Sequence, residues 1–266
     1  MSDSLIALIL GIIQGLTEFL PVSSSGHLEL AKFLLGDDEI GTQSLLMTVV
    51  LHFGTAMATL IYFRNDIKTL LQGIFEKGDS TSKRFAINII VSMIPAAIVG
   101  VVFEEQIESF FTQNILLVCA MLILTGVLLF LADKAKATKK NVSFLDSIII
   151  GVAQAIAIMP GISRSGATIS ASTLLGVDKE EAARFSFLMV VPLIFGKMFK
   201  DLLDGDFSAE DSNLFACSIG FVAALVTGYF ACKWMIDIVK RSNLKYFGYY
   251  CLIIGSVGVI IATLNG

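Results

Sequence analysis

Residues 4–36 read SLIALILGIIQGLTEFLPVSSSGHLELAKFLLG, and residues 147–177 read SIIIGVAQAIAIMPGISRSGATISASTLLGV. A shift of 140 residues aligns the two stretches without a gap. The alignment superimposes polar and glycine positions that chance rarely places in register: Gly11 on Gly151, Gln14 on Gln154, Ser23 on Ser163, Ser25 on Ser165 and Gly26 on Gly166. The sequence therefore predicts an internal repeat, with one copy at about 1–132 and the other at about 141–264.

The chain as a whole is too apolar to face water. Of its 266 residues, 55% are hydrophobic and 16% are charged, whereas a soluble domain has about a quarter charged residues. Runs of 19 to 24 residues contain no Asp, Glu, Lys or Arg, namely 40–63, 85–103, 109–132, 212–232 and 246–266. Since about 20 apolar residues cross the hydrocarbon core, we predict an all-α integral membrane protein, one polytopic domain over 1–266. No basic tract suggests nucleic-acid binding.

The charged loops alternate in sign and so predict the orientation. Basic side chains concentrate in 64–84, 133–146 and 233–245, and acidic ones in 104–108 and 201–211. By the positive-inside rule the basic loops are cytoplasmic, which predicts that both termini are outside. Six full transmembrane helices follow, at 46–63, 85–103, 114–132, 185–200, 214–232 and 246–264.

With those spans in place, 4–36 begins and ends outside, and 147–177 begins and ends inside. Both are interrupted by Pro, Gly and Ser, so we predict two re-entrant helical hairpins related by an inverted-topology repeat. Irregular backbone at membrane depth is tolerated where it lines a cavity or is buried in protein. Such folds place the ligand site near the midplane, where broken helices meet.

The first hairpin carries Gln14 and Glu18, which share a helix face because they are four residues apart. A carboxylate inside a span costs about 2.5–3.5 kcal/mol, so it usually faces a partner or water. Pro21 breaks the helix, and at the break Ser23, Ser24, Ser25 and Gly26 offer hydroxyls and free backbone N–H groups to a ligand, with His27 following them. The alternatives are that Glu18 is solvated at the boundary, that the serines only cap a helix and that His27 is a packed histidine.

The second hairpin carries Arg164, the only charge between Asp146 and Asp178. Its planar guanidinium suits phosphate oxygens. The residues around it offer hydroxyl donors or let backbone N–H groups approach an anion, namely Ser163, Ser165, Thr168, Gly161 and Gly166. The alternative is that Arg164 pairs structurally with Glu18 and binds no ligand.

Together these residues favour phosphoryl transfer from a membrane-borne phosphate ester or anhydride. Arg164 would hold the anion, and Glu18 with Gln14 would hold a divalent cation through oxygen ligands. Ser24 or His27 would be the nucleophile, or His27 would transfer a proton to or from water or the leaving group. The competing function is a transporter or flippase for a lipid phosphate or another organic anion.

We expect His52 to be a packed, hydrogen-bonded histidine, with a place beside the cavity as the alternative.

At these two hairpins the chain resembles the bacterial undecaprenyl-diphosphatase family, also called the bacitracin-resistance (BacA) family. Gln14 to Glu18 match its Glu/Gln-x-x-x-Glu motif, Ser23 to His27 match its Ser-Ser-x-Gly-His stretch, and Pro160 to Thr168 match its Pro-Gly-x-Ser-Arg-Ser-x-x-Thr signature. The resemblance implies removal of the terminal phosphate of undecaprenyl diphosphate, regenerating the carrier for peptidoglycan synthesis, and it implies the bacterial inner (plasma) membrane. It implies dependence on Mg²⁺ or Ca²⁺, with Glu18, Ser24, His27 and Arg164 as catalytic positions. The outward entry of the first hairpin predicts that the site opens to the outer face.

A looser resemblance is to the type-2 phosphatidic-acid phosphatases, which pair a Ser-Gly-His motif with a Ser-Arg motif. Their nucleophilic histidine follows the Ser-Arg stretch, but no histidine occurs beyond His52 here, so that mechanism cannot operate unchanged. Small residues such as Gly255 and Gly258 would allow helix association. They are compatible with a homodimer without specifying one.

Overall fold

The computed structural model describes residues 2–35, 41–76, 80–103, 105–107, 115–136, 138–204, 213–241 and 243–265. The acidic loop 201–211 lies largely outside these residues and the loop 104–108 partly so, and Gly36, the last residue of the first aligned stretch, lies outside them. The principal helices are α1 (Asp3–Phe19), α2 (Ser24–Leu35), α3 (Gly41–Tyr62), α4 (Arg64–Phe75), α5 (Ser80–Val102), α6 (Ile115–Asp133), α7 (Phe144–Ile156), α8 (Arg164–Leu174), α9 (Lys179–Asp204), α10 (Leu214–Lys240) and α11 (Lys245–Asn265).

Five of these helices, α5, α6, α9, α10 and α11, are long and apolar enough to cross a bilayer. Helix α3 qualifies only together with α4, and the two are bent by 72° at Phe63. The described residues therefore contain five or six candidate spans, which confirms a multi-pass membrane protein. Along α5, Ile87, Ile90, Ile94 and Ile98 all point outward and are about half exposed. A continuous apolar stripe of this kind suits lipid.

Two helix pairs are interrupted where the sequence predicts a break. Helix α1 ends at Phe19 and α2 begins at Ser24, with Pro21 between them; α7 ends at Ile156 and α8 begins at Arg164, with Pro160 between them. The four helices contain 17, 12, 13 and 11 residues. Each is shorter than the roughly 20 residues that a full crossing requires.

The first helix of each interrupted pair packs against a helix from the other half of the chain: α1 on α10, and α7 on α5. Glycines allow both approaches. A Cβ on Gly11 would lie 2.5 Å from the carbonyl oxygen of Gly220, and one on Gly151 would lie 2.6 Å from that of Ser92. Because real Cβ atoms do not come so close, only glycine permits these helix contacts.

The small residues of α11 pack within the chain. A Cβ on Gly255 would lie 2.8 Å from the carbonyl oxygen of Cys119 on α6, and Gly258 also packs against Cys119. The two glycines that are compatible with association of a second copy thus already serve the α6–α11 contact. The homodimer stays a prediction without support from this feature.

Candidate active site

The two interrupted segments meet each other inside the protein. A Cβ on Gly26 would lie 3.3 Å from Gly161 Cα, and a Cβ on Gly166 would lie 3.4 Å from Pro21 Cβ. The hydroxyl of Ser165 donates to the carbonyl oxygen of Leu20 over 3.3 Å. The N-termini of α2 and α8 therefore lie close together, and helix N-termini favour anions through their free N–H groups and their dipole.

Glu18 is the hub of the polar contacts at this junction. Its side chain is 5% exposed. Gln14 Nε2 and Ser24 Oγ both donate to Glu18 Oε2, over 2.9 Å and 2.8 Å. Arg164 Nη2 donates to the other carboxylate oxygen, Oε1, and forms an ion pair that joins the two interrupted segments.

The sequence-predicted catalytic residues Glu18, Ser24 and Arg164 thus share one set of contacts. The alternative in which Glu18 is solvated at the membrane boundary does not describe the structure, since the carboxylate is buried. The alternative in which Arg164 pairs with Glu18 does describe a contact that is present. Pairing does not exclude ligand binding, because a guanidinium has several N–H donors and can contact a phosphate at the same time.

Ser23 and Ser163 occupy equivalent places at the starts of α2 and α8. Ser23 Oγ accepts from Gly26 N–H over 3.2 Å, and Ser163 Oγ accepts from Gly166 N–H over 3.0 Å. Each also lies 3.3 Å from the hydroxyl two residues later, that of Ser25 or Ser165. Both serines therefore cap helices, as the alternative to a ligand role expects, and their substrate-binding role stays a prediction.

Backbone strain marks the first interruption. Ser23 has a φ of 70°, a left-handed conformation that costs a non-glycine residue about 1–3 kcal/mol and is common at functional sites. In the second interruption Gly161 has a φ of 90° and packs against the backbone of Val118 on α6. A side chain at Gly161 would fit neither the conformation nor the space.

Two further hydroxyls hold the second interruption in place. Thr168 Oγ1 donates to the carbonyl oxygen of Arg164 over 2.8 Å and lies 2.7 Å from Ser186 Oγ on α9. Thr125, on α6, accepts from Ser163 N–H over 3.0 Å and donates to the carbonyl oxygen of Gly161 over 3.3 Å. Sequence reasoning missed Thr125, although a lone hydroxyl in an apolar span is a signal for an interhelical hydrogen bond.

His27 lies on the first turn of α2 and contacts a residue that the sequence analysis did not single out. His27 Nδ1 lies 2.8 Å from the carbonyl oxygen of Ser23, and Nε2 lies 2.8 Å from the hydroxyl of Tyr250 on α11. The two rings are stacked. No local sequence signal separates Tyr250 from the other tyrosines near it.

Both expectations for His52 agree with the structure: it is hydrogen-bonded within its helix, and it lies beside the site. Nδ1 donates to the carbonyl oxygen of Thr48 over 2.8 Å, so the residue is hydrogen-bonded within α3. Nε2 lies 3.9 Å from Glu18 Oε2, so the ring also borders the site. The contact places an imidazole beside the carboxylate, a neighbour that sequence spacing alone could not establish.

The donor set suits an oxygen-ligated cation only in part. Among the described residues no group of three or more His, Cys, Asp or Glu side chains could hold a metal ion. Gln14 Oε1, however, is buried and has no hydrogen-bond partner within the described chain, and it belongs to the side chain that contacts Glu18. One carboxylate and one amide oxygen fit Mg²⁺, which commonly uses one or two carboxylates together with substrate phosphates and water.

Gly15 lies one turn before Glu18, so we predict that Gly15→Ala disrupts both stability and activity. A Cβ there would lie 2.7 Å from the carbonyl oxygen of Ala224 and 2.8 Å from the amide nitrogen of Gly228, both backbone atoms of α10. Overpacking of this kind costs about 1–3 kcal/mol, and the displaced α1 would move Glu18. We expect a lower melting temperature in detergent than that of Gly100→Ala, whose Cβ meets nothing within 4 Å. Equal melting temperatures would contradict this packing.

Comparison with known proteins places the chain in a described family. The family profile "Bacitracin resistance protein BacA" matches residues 7–257. The chain is 56% identical over 256 residues to an undecaprenyl-diphosphatase from Christiangramia forsetii, covering 96% of this chain and 97% of that protein. Proteins of the same name from Bacteroides fragilis and Methanobrevibacter smithii are 45% and 40% identical, covering 97% and 96% of this chain and 98% and 96% of their own lengths.

Proposed function

The chain belongs to the bacitracin resistance protein BacA family, and from this premise we infer that it is an undecaprenyl-diphosphatase. It is a membrane hydrolase that removes the terminal phosphate of undecaprenyl diphosphate and regenerates the monophosphate carrier for peptidoglycan synthesis. The observation that carries this conclusion is the buried cluster in which Glu18 contacts both Ser24 and Arg164. The transporter alternative is not favoured, since the relatives are named for hydrolysis.

Arg164 and the two helix N-termini provide the anion-binding part of the site. A diphosphate headgroup bound at this junction would meet the guanidinium and the first N–H groups of α2 and α8. Donors aimed at charge that develops in the transition state contribute much of the rate enhancement in phosphoryl transfer. Ser23, Ser25, Gly26, Gly161, Ser163, Ser165, Gly166 and Thr168 would shape this cradle and hold its backbone.

Ser24 is the nucleophile that the geometry favours, with Glu18 as its base. The hydroxyl of Ser24 already donates to Glu18 Oε2 over 2.8 Å, which is the reach that a base needs. Ser24 Oγ would form a bond to the terminal phosphorus while the bridging P–O bond breaks and undecaprenyl monophosphate leaves. The serine proton would pass to Glu18. Water would then attack the phosphorus and break the Ser24 Oγ–P bond, which releases inorganic phosphate. His27 would accept a proton of that water, and Glu18 would return its proton to the serine oxygen.

A divalent cation, Mg²⁺ or Ca²⁺, would be held by Glu18 and by the unpartnered Gln14 Oε1 together with the diphosphate itself. Such an ion would offset negative charge on the phosphates. Because the protein supplies a single carboxylate here, the substrate has to complete the site. Cation binding should accordingly be much weaker without the diphosphate than with it.

We predict that metal removal abolishes phosphate release. After treatment with a chelator, the purified protein should lose activity on undecaprenyl diphosphate, and added Mg²⁺ or Ca²⁺ should restore it, because the single guanidinium of Arg164 leaves most of the negative charge of the diphosphate without a counter-charge. Released phosphate is the measurement, and the melting temperature serves as the control for unfolding. Full activity of a metal-free sample would contradict the cation site.

The proposed architecture has six spans and two re-entrant hairpins in an inverted-topology repeat. The paired contacts support it. Gly26 packs on Gly161, and the positions 140 residues away from these two, Gly166 and Pro21, pack on each other. If the two halves are exchanged, the first contact is replaced by the second, and this is the relation that a two-fold axis between the halves requires. We assign the halves to about 1–132 and 141–264.

The charge pattern of the loops supports an inner-membrane protein with both termini outside and the basic loops in the cytoplasm. In this orientation the first hairpin enters from the outer face, so the site would open toward the periplasm. A homodimer is compatible with the exposed apolar surface, although no described contact requires one.

The function is tested by phosphate release from undecaprenyl diphosphate in detergent, where no membrane sides exist. The purified protein should release inorganic phosphate and leave undecaprenyl monophosphate, and it should release none from the monophosphate. A pure carrier would release no phosphate from either lipid. That result would overturn the proposed function.

A further inference from the structure

The hydrogen bonds of His27 determine which of its nitrogens is basic. Nδ1 lies 2.8 Å from the carbonyl oxygen of Ser23, and a carbonyl can only accept. Nδ1 therefore carries the proton, and in the neutral ring Nε2 carries the lone pair. The proton-accepting atom of His27 is Nε2.

Tyr250 is hydrogen-bonded to that nitrogen. Its hydroxyl lies 2.8 Å from His27 Nε2 and is the donor, since the unprotonated nitrogen can only accept. The imidazole and phenol rings are 5.5 Å apart between centroids and 12° from parallel. Ring stacking restricts where the imidazole can move, and the hydroxyl restricts how it can rotate. Tyr250 is 40% exposed, so the hydrogen bond between the two side chains is not enclosed by the protein.

We propose that Tyr250 is a positioning residue of the phosphatase reaction, which acts through His27. It holds the imidazole in the tautomer protonated at Nδ1 and fixes the direction in which Nε2 points. A phenol has one proton to donate, so a phosphate oxygen or water that takes this hydrogen bond releases Nε2 to accept a proton. Substrate arrival and the availability of the base are thereby coupled. This inference rests on the proposed function and adds a residue that the motifs do not contain.

Tyr250→Phe is the variant that tests the proposal, because it keeps the stacked ring and removes only the hydroxyl. We expect kcat on undecaprenyl diphosphate to fall about tenfold, the equivalent of one lost hydrogen bond, with KM nearly unchanged. Tyr249→Phe is the matched control. Tyr249 precedes Tyr250 on α11 and packs against Phe130, so its variant should retain the parental kcat.

The tautomer gives a second readout that a merely structural role would not change. The chain has two histidines, so ¹⁵N-histidine NMR of detergent-solubilised protein is simple to assign with a His52→Gln sample. In the parental protein, His27 Nδ1 should appear protonated and Nε2 as a hydrogen-bonded, unprotonated nitrogen. In Tyr250→Phe the Nε2 resonance should move downfield, toward the position of a free nitrogen, or the tautomers should mix.

The outcomes separate this inference from the proposed function. If the parental protein and Tyr249→Phe release phosphate while Tyr250→Phe loses kcat and shifts the Nε2 resonance, the positioning role holds. If Tyr250→Phe retains kcat, or loses activity only through KM, or leaves the Nε2 resonance in place, the role is wrong. If the parental protein itself releases no phosphate, the proposed function fails and this inference fails with it.

Discussion

Arg164→Ala is expected to lower kcat/KM for undecaprenyl diphosphate by about a thousandfold or more. The guanidinium is the only charge between Asp146 and Asp178, and it lies where the N-termini of two helices converge. Arginines that stabilise a transferring phosphoryl group contribute about 10³–10⁵ in kcat. Arg164→Lys should retain intermediate activity, because an ammonium keeps the charge but lacks the planar fork that matches phosphate oxygens. Phosphate release in detergent is the measurement.

Arg184→Ala is the matched control for the loss of a guanidinium. Arg184 is partly buried and pairs with Asp66 over 2.8 Å and with Glu181 over 3.4 Å, outside the cluster around Glu18. Its variant should keep the parental rate even where the melting temperature falls. If Arg164→Ala keeps the parental activity, Arg164 does not bind the substrate anion and serves only as a structural partner of Glu18.

Glu18→Gln is expected to reduce the rate by about 10²–10⁴, the range typical of a lost general base. The amide keeps the shape of the side chain, but it cannot take the proton of Ser24 and it leaves Arg164 without its anion. Removing one partner of a buried ion pair also costs about 3–5 kcal/mol of stability, so the melting temperature should fall as well. Glu181→Gln, which removes a carboxylate from the Arg184 pair, is the control and should remain active.

A double variant separates the chemical role of Glu18 from its structural one. Replacing both members of a buried ion pair by neutral residues is often close to neutral for stability. Glu18→Gln combined with Arg164→Met should therefore recover part of the melting temperature that either single change loses, while phosphate release stays at background. Recovery of activity in the double variant would show that the pair serves folding alone.

The sequence predicted the interrupted segments because their signals are local. Pro21 and Pro160 lack a backbone N–H, and both helix breaks occur where these prolines lie. The long charge-free runs predicted the membrane spans for the same reason, since spanning depends on the composition of about 20 successive residues. The 72° bend at Phe63 was not predicted, because neither proline nor glycine marks it.

The sequence predicted which residues gather around Glu18, but it predicted fewer of the contacts that they and their neighbours make with other helices. Glu18, Ser24 and Arg164 were identified from charge and hydroxyl groups in apolar surroundings. Thr125 and Tyr250 were missed, since each contacts a helix that is distant in sequence. For His52, spacing could not decide between a packed histidine and a histidine beside the site. The helix-capping role of Ser23 and Ser163 was weighed only as an alternative, although both hydroxyls accept cap hydrogen bonds.

By itself the amino-acid sequence determined that this chain is a helical membrane protein, that two of its segments are broken, and that the breaks carry an acid, hydroxyls and one guanidinium. These properties depend on short windows of residues and on the thickness of a bilayer. Only the tertiary structure decided which groups touch: Glu18 with Arg164 across 146 residues, and His27 with Tyr250 across 223. Such contacts depend on how closely helices pack, and glycines such as Gly11 and Gly151 set that distance only once a partner helix is present.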